Sequence, residues 1–271
     1  MLAWLAFLKD MSQWKQQKKM IQLLKEEIEL NADTVHFYRQ GEFSNEQLNA
    51  LISIEGMCFI KDNPEVFLDW AYEQGVRIGS LCWNDENALA TGAKSNPSRG
   101  LTQLGQRAIK HMNKLKMIVD VSHANEKSFY DILQVSTRPI MATHSNARKL
   151  CNVDRNLTDQ QIKAIAATGG LIGLVAAKYF VADEAENQNA ATLAKHAAYI
   201  KALTSIEHVC IGFDYMDFLA EPFGRHSMAY DLQDASMSQH LIEALKDEGF
   251  TQQEVEMIAY QNIERFLKEN L

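Results

Sequence analysis

Two apolar runs near the middle of the chain, each ending next to a histidine, constrain the fold most strongly. Residues 117–121 lead into Ser122-His123, and residues 139–142 lead into Thr143-His144. A helical pattern over residues 126–134 separates the two runs. Short continuous apolar runs that alternate with a helix are typical of parallel strands buried on both faces. The sequence therefore predicts a β-α-β unit with a histidine just beyond each strand.

The placement of these two histidines favours a metal site. In α/β folds the carboxyl ends of parallel strands meet at one edge, and active sites lie there. Neutral imidazole is a common ligand of zinc. A single histidine in this position is more often a hydrogen-bonded strand cap. The same placement on two consecutive strands makes metal binding by His123 and His144 the favoured interpretation.

The rest of the chain continues the alternation of strands and helices. Further apolar runs predict strands at residues 2–8, 48–54, 77–82, 171–176 and 208–213. Amphipathic patterns predict helices at residues 12–30, 63–74, 102–114, 158–167, 186–203, 235–248 and 252–268.

This rhythm over 271 residues predicts an α/β fold. We expect a single domain over residues 1–271, of the (β/α)8 TIM-barrel type. Only seven strands are found and no helix precedes the first, so we expect the first βα unit to be missing. An open doubly wound sheet is the competing fold, but the chain has no G-x-G-x-x-G phosphate turn.

Polar or aromatic residues follow directly after most of the predicted strands. They are Glu55, Trp83, Asn84, His123, His144 and Asp214. In a barrel all of them would lie on one rim and face a common crevice. Carboxylates and imidazoles together suit a divalent cation such as zinc.

Composition excludes several other classes of protein. The formal net charge of −8 gives no attraction to nucleic acid or to an anionic membrane surface. The apolar N-terminus, residues 1–8, is too short to span a bilayer and lacks the features of a signal peptide. None of the four cysteines has C-x-x-C spacing. They are interpreted as reduced thiols of a cytoplasmic protein.

Several short motifs also form a pattern when they are taken together in chain order. They are IEG at 54–56, GLTQLG at 100–105, VDVSHA at 119–124, THSNA at 143–147, RNLTD at 155–159, GGLIG at 169–173 and IGFD at 211–214. In order and approximate spacing, over essentially the whole chain, they resemble the membrane (renal) dipeptidase family, the M19 metallopeptidases.

The resemblance implies a (β/α)8 barrel with a binuclear zinc site that hydrolyses dipeptides through a metal-bound hydroxide. Glu55 resembles the carboxylate that bridges the two metals, and His123 and His144 resemble the histidines that complete one metal site. Arg155 resembles the residue that binds the substrate carboxylate. Asp214 resembles the acid that handles the substrate amino group and a proton, so Glu55 and Asp214 are the expected catalytic residues.

The sequence departs from the family pattern at three places. The family's first strand ends in a His-x-Asp pair that binds the other metal, and this chain contains no His-x-Asp. Trp83 stands where the family has a substrate-contacting histidine, which places Trp83 and Asn84 beside the substrate. The glycine that usually closes the run around Asp214 is absent. We expect one incomplete metal site, and weak or no dipeptidase activity.

Two other functions stay open from the sequence alone. The chain could be a catalytically dead homologue that binds a small molecule or a protein partner, or a barrel hydrolase of amides or lactones. A missing first strand would also leave two strand edges unpaired, at residues 2–8 and 208–213. Such edges favour self-association, for example as a homodimer.

Overall fold

The computed structural model describes residues 14–221 and 223–271. The eight strands in these residues are β1 (Val35–Phe37), β2 (Leu48–Ala50), β3 (Ile52–Ile54), β4 (Val76–Ser80), β5 (Ile118–Asp120), β6 (Ile140–Ala142), β7 (Leu171–Leu174) and β8 (Val209–Ile211). The α-helices in the same residues are α1 (Trp14–Leu30), α2 (Pro64–Glu73), α3 (Gln103–Lys114), α4 (Glu126–Val135), α5 (Asp159–Ala167), α6 (Lys178–Val181), α7 (Ala190–Leu203), α8 (Gln239–Asp247), α9 (Gln252–Glu256) and α10 (Asn262–Asn270). A π-helical turn, Met257–Gln261, joins the last two.

Six strands form one sheet in the order β3-β4-β5-β6-β7-β8. The pairings β3–β4, β4–β5, β6–β7 and β7–β8 are all parallel. Every residue of β3 to β7 is buried, as expected for parallel strands covered by helices on the connecting segments. The predicted α/β fold with parallel strands is confirmed.

The chain divides into two compact units. The first holds residues up to Ile140 together with Leu267–Leu271, and the second is Met141–Phe266. In the first unit the Arg138 guanidinium donates to the Asn270 carbonyl over 2.6 Å, which ties the end of the chain to this unit. In the second unit the Asn262 side chain donates to the carbonyls of Ile206 and Val209, and so anchors α10 to the start of β8.

Helix starts follow local sequence signals. The Thr102 hydroxyl accepts from the Gly105 amide and caps α3. Thr158 and Gln161 form a capping box at the start of α5. Gly169 has a φ of +79° and ends α5, a conformation that costs glycine nothing. The predicted helices are confirmed within a few residues at their ends, except that 3-10 turns replace the starts of the two predicted at 186–203 and 235–248.

One strand prediction was wrong in detail and one strand was missed. The run at residues 48–54 is not a single strand, because Leu51 belongs to neither strand and separates β2 from β3. β2 pairs with β1 in a separate two-stranded parallel sheet, whereas β3 pairs with β4. The hydrophobicity of a run does not show where the chain changes from one neighbouring strand to another. β1 was missed because its three residues are only half-buried. The strand predicted at residues 2–8 lies outside the described residues.

Two predictions from composition can be compared with the structure. No helix within residues 14–221 and 223–271 combines the length and the hydropathy needed to cross a bilayer. All four cysteines fall in the described part of the chain, and each is a thiol and not half of a disulfide.

Candidate metal centre

Glu55, His123 and His144 form a compact group of side chains of the types that could hold a metal ion. Glu55 directly follows β3, while His123 and His144 come shortly after β5 and β6. Each offers one ligand atom, and the three atoms lie within 4.8 Å of one another. The group therefore combines one carboxylate with two imidazoles, as the strand-end pattern predicted.

Glu55 and His123 contact each other directly in the first unit. The Nε2 atom of His123 lies 2.7 Å from Oε1 of Glu55, and their side chains are only 6% and 15% exposed, respectively. Gly56 has a φ of +80°, and its amide donates to the Ser80 hydroxyl over 2.9 Å. The left-handed conformation of Gly56 turns the chain directly after Glu55.

The other side of His123 faces the segment after β4. The Asn84 Oδ1 atom lies 3.1 Å from Nδ1 of His123. The Trp83 ring stacks on the imidazole, with centroids 5.8 Å apart and an interplanar angle of 30°. The His123 carbonyl accepts from the Ala93 amide over 2.8 Å. With Nδ1 turned toward Asn84, Nε2 is the nitrogen directed at Glu55.

His144 is positioned by its own neighbours in the second unit. It is 1% exposed, and its Nδ1 atom lies 2.8 Å from the Thr143 hydroxyl. Two glycines leave room for the Thr143 carbonyl. A Cβ added at Gly173 or Gly212 would lie 2.0 Å or 1.9 Å from that oxygen. The Ser145 amide donates to the Gly173 carbonyl over 2.7 Å and fixes the backbone just beyond His144.

This donor set fits a zinc ion. A tetrahedral zinc with ligand distances of about 2.0–2.2 Å has ligand atoms about 3.3–3.6 Å apart. The 2.7 Å distance between His123 Nε2 and Glu55 Oε1 is shorter than that spacing, and the 4.8 Å limit on the distances among all three ligand atoms is longer. Small side-chain movements would therefore bring the three ligand atoms to the spacing that zinc requires. Two histidines and a glutamate with an open fourth position are also a ligand set of catalytic zinc enzymes.

Arg155 and Asp214, the other two predicted site residues, both lie in the second unit. Arg155 is 4% exposed, and its guanidinium lies 5.3 Å from the centroid of the Phe180 ring. Asp214 follows β8 and has a φ of +60°. That conformation is uncommon outside glycine, although aspartate adopts it more readily than most other residues. The roles predicted for these two residues stay predictions.

Several residues that shape the centre had no assigned role from the sequence, or a different one. Asn84 was expected beside the substrate, and its contact in the structure is with His123. Gly173 and Gly212 were not singled out, although a glycine in or directly after a buried apolar strand signals close approach of another backbone. Thr143 was noted only as part of a motif.

The parallel α/β fold and the glutamate–histidine–histidine group together define a metal-dependent hydrolase. The chain belongs to the membrane dipeptidase family, peptidase family M19, whose sequence model matches residues 6–270. The suspected family is thereby confirmed, and it is a family of hydrolytic metalloenzymes.

Individual relatives agree with this assignment. An uncharacterised protein from the 5′ region of pqqA in Klebsiella pneumoniae is 34% identical over 206 residues, which cover 73% of each chain. An uncharacterised dipeptidase of Schizosaccharomyces pombe is 28% identical over 230 residues, 84% of this chain and 54% of the relative. This chain thus spans about half the length of that relative.

A solved structure shows the same fold. It is a metallopeptidase from Rhodobacter sphaeroides liganded with a phosphinate mimic of the dipeptide L-Ala-D-Ala. The TM-score is 0.82 at 22% sequence identity, and the match covers 96% of this chain and 76% of that chain.

Proposed function

We propose that the protein is a zinc-dependent dipeptidase. The observation that carries the proposal is the group of Glu55, His123 and His144, whose ligand atoms lie within 4.8 Å of one another. Membership of the M19 family supports a dipeptide as the substrate. The Rhodobacter neighbour, solved with a dipeptide mimic, is consistent with that class of substrate.

Glu55, His123 and His144 would hold the metal ion. When bound, a divalent cation polarises the scissile carbonyl and lowers the pKa of a coordinated water. Glu55 is the anionic member of the group, so it also offsets the positive charge of the cation. Its 2.7 Å contact with His123 keeps the two ligands together before a cation arrives.

Arg155 and Asp214 would hold the two ends of the substrate. A guanidinium can grip a carboxylate through two parallel hydrogen bonds, and burial of Arg155 strengthens such a pair. The Asp214 carboxylate would bind the substrate ammonium group and exchange a proton with the reacting amide. Trp83 and Asn84 would flank the substrate on the side of His123. A dipeptide, with its opposite terminal charges, matches this pair of groups.

The proposal includes weak activity. The family mechanism implied by the resemblance uses two metal ions, and the sequence contains no His-x-Asp pair for the second. Loss of one charge-stabilising donor costs about 100- to 1,000-fold in rate in other enzymes, so loss of a cation should cost at least as much. Cytoplasmic location, supported by four cysteines that form no disulfide in the described residues, and homodimer formation are further parts of the proposal.

The test is hydrolysis of L-Ala-D-Ala and L-Ala-L-Ala by metal-free protein, with and without added Zn2+ or Co2+. We expect release of free alanine only with metal. The H144A variant should abolish it. The H111A variant is the matched control, because His111 lies on α3 and pairs with Asp69 instead.

Other outcomes separate the alternatives. Binding of a dipeptide without turnover at any metal concentration would favour a catalytically dead homologue. Turnover of a lactone or a cyclic amide, but of no dipeptide, would favour the other hydrolase class. Equal activity of the wild type and H144A would contradict the metal site itself.

A further inference from the structure

The loop between β4 and α3 encloses one side of His123. Near its start, Trp83 and Asn84 contact the imidazole face and Nδ1, respectively. Further along the same loop, Ala93 donates its amide to the His123 carbonyl, and Gly92 forms an antiparallel bridge with Ala124. Side chain and backbone of His123 are therefore held by one loop.

Hydrogen bonds connect residues within this loop and join the loop to α4. The Arg99 guanidinium donates to the Asn87 carbonyl over 2.6 Å and to the Thr91 hydroxyl over 2.7 Å. From α4, the Ser128 hydroxyl donates to the Thr91 carbonyl over 2.9 Å. The Lys94 amide donates to the Asn84 carbonyl over 3.1 Å. The Asn84 backbone is thus fixed independently of its side chain.

Gly92 allows the middle of the loop to pack against residues near its start. A Cβ at Gly92 would lie 1.9 Å from the Trp83 carbonyl oxygen and 2.4 Å from the Asn84 carbonyl carbon. Only glycine fits so close to the backbone of Asn84. This packing sets the distance between the Asn84 amide and the His123 ring.

A neutral imidazole can bind a cation through only one nitrogen, because the other carries the proton. The partner of the second nitrogen decides which tautomer is present. Asn84 presents a carbonyl oxygen to Nδ1, and a carbonyl oxygen can only accept. It therefore favours a proton on Nδ1, so that Nε2, the nitrogen 2.7 Å from Glu55 Oε1, is the one that releases its proton and presents a lone pair when a cation binds.

We propose that Asn84 is a positioning residue that keeps His123 in its metal-binding tautomer and ring orientation. The inference deepens the proposed function, because it rests on the metal site of Glu55, His123 and His144. It adds a second role to the position proposed for Asn84 beside the substrate, because the Asn84 amide also acts through His123. The acceptor is neutral, so it orients the ring without adding a second negative charge.

The test is the affinity of the metal-free protein for Co2+ and Zn2+, measured by titration without substrate. Asn84→Leu has a similar volume but no acceptor, whereas Asn84→Asp keeps an acceptor oxygen. Loss of such an orienting partner typically costs about 10- to 100-fold in metal affinity. We expect that loss in N84L and affinity within about threefold of the wild type, or tighter, in N84D. Asn96→Leu, on an exposed residue of the same loop, is the matched control and should bind as the wild type does.

Wild-type affinity in N84L, or equal losses in N84L and N84D, would overturn the inference. If N84L does not fold, N84D decides alone, and a loss of more than about tenfold in N84D would count against it. A raised KM at saturating metal with unchanged metal affinity would assign Asn84 to the substrate instead. Failure of the proposed function is distinguishable, because a wild type that binds Co2+ but hydrolyses no dipeptide refutes only the proposed reaction.

Discussion

His196 is a buried histidine whose pKa lies well below the ordinary value. It is fully buried on α7, where Nδ1 accepts from the Ala147 amide over 3.1 Å and Nε2 donates to the Val181 carbonyl over 2.9 Å. Burial lowers its pKa to about 4, and the bond to Val181 only partly opposes that shift. The ring is neutral and links the segment after His144 to the end of α6.

We predict that His196 makes the protein less stable in acid. The unfolded state binds a proton below about pH 6.5, but the folded state does so only near pH 4. Stability from the neutral ring is therefore complete above pH 6.5 and is lost as the pH falls toward 4. The loss should reach about 3 kcal/mol in the free energy of unfolding.

Urea denaturation of the wild type and of H196Q across this pH range checks the prediction. A glutamine side chain can offer one acceptor and one donor, yet it does not titrate. The difference between the two stabilities should shrink or reverse in acid. Parallel pH profiles for the two proteins would contradict the assignment.

At the same scale, the residue types that follow the strands could be identified from the sequence, but the contacts between their side chains could not. Glu55, His123 and His144 could be proposed together because each closely follows a buried apolar run, and the structure brings them together. The contact of Asn84 with His123 depends on the path of the β4–α3 loop. That path is set by Arg99 and Gly92, whose partners are not local in sequence.

At the scale of elements, glycines in β7 and directly after β8 make room for the carbonyl of Thr143, the residue before His144. Gly212 and Gly173 both contact the Thr143 carbonyl. We predict that Gly212→Ala displaces this carbonyl and with it His144. Overpacking of this kind costs about 1–3 kcal/mol in stability, and metal affinity should fall as well.

Chemical denaturation and Co2+ titration of G212A check both effects. Gly79→Ala is the control, since its added methyl group would meet the flexible end of Met57 and no backbone atom within 3.4 Å. The Co2+ affinity of G79A should match the wild type. Unchanged Co2+ affinity in G212A would show that His144 is not held through Thr143.

The start of α5 gives a second prediction at this scale. The Thr158 hydroxyl accepts from the Gln161 amide over 3.3 Å, and the Gln161 side chain accepts from the Thr158 amide over 2.9 Å. We expect T158A to lower the free energy of unfolding by about 0.5–2 kcal/mol. T158S keeps a hydroxyl at this position and should retain most of that stability. Equal urea midpoints for T158A and T158S would contradict a capping role.

Helices could be predicted closely because their signals are local, as with Thr102, Thr158 and Gly169. The division of residues 48–54 into two strands could not be predicted in this way. It depends on which strands lie alongside, and β1 supplies a partner for β2 from a half-buried segment without a clear apolar pattern. Short strands carry little periodicity of their own.

At the scale of the whole molecule, the βα rhythm was enough to predict a parallel α/β fold, because alternation of buried strands and helices permits few other arrangements. The order of the six-stranded sheet follows the order of the chain. That a single domain spans residues 1–271, and that the strands close into a barrel, stay predictions.

The last prediction concerns the number of metal ions bound per chain. The described residues hold one group of three metal-binding side chains, Glu55, His123 and His144, and the full sequence has no His-x-Asp pair. A second divalent cation close to the first needs further anionic ligands to offset mutual repulsion, which is strong at a partly buried site. We therefore expect one tightly bound Zn2+ per chain after dialysis, measured by elemental analysis against protein concentration.

E55Q should lower this value to near zero, because it removes the one negative charge of the group, whereas H111A should leave it at one. Two tightly bound ions in the wild type would contradict the prediction. Such a result would mean that the chain completes a binuclear site with ligands other than a His-x-Asp pair, and the expected weak activity would then lose its physical basis.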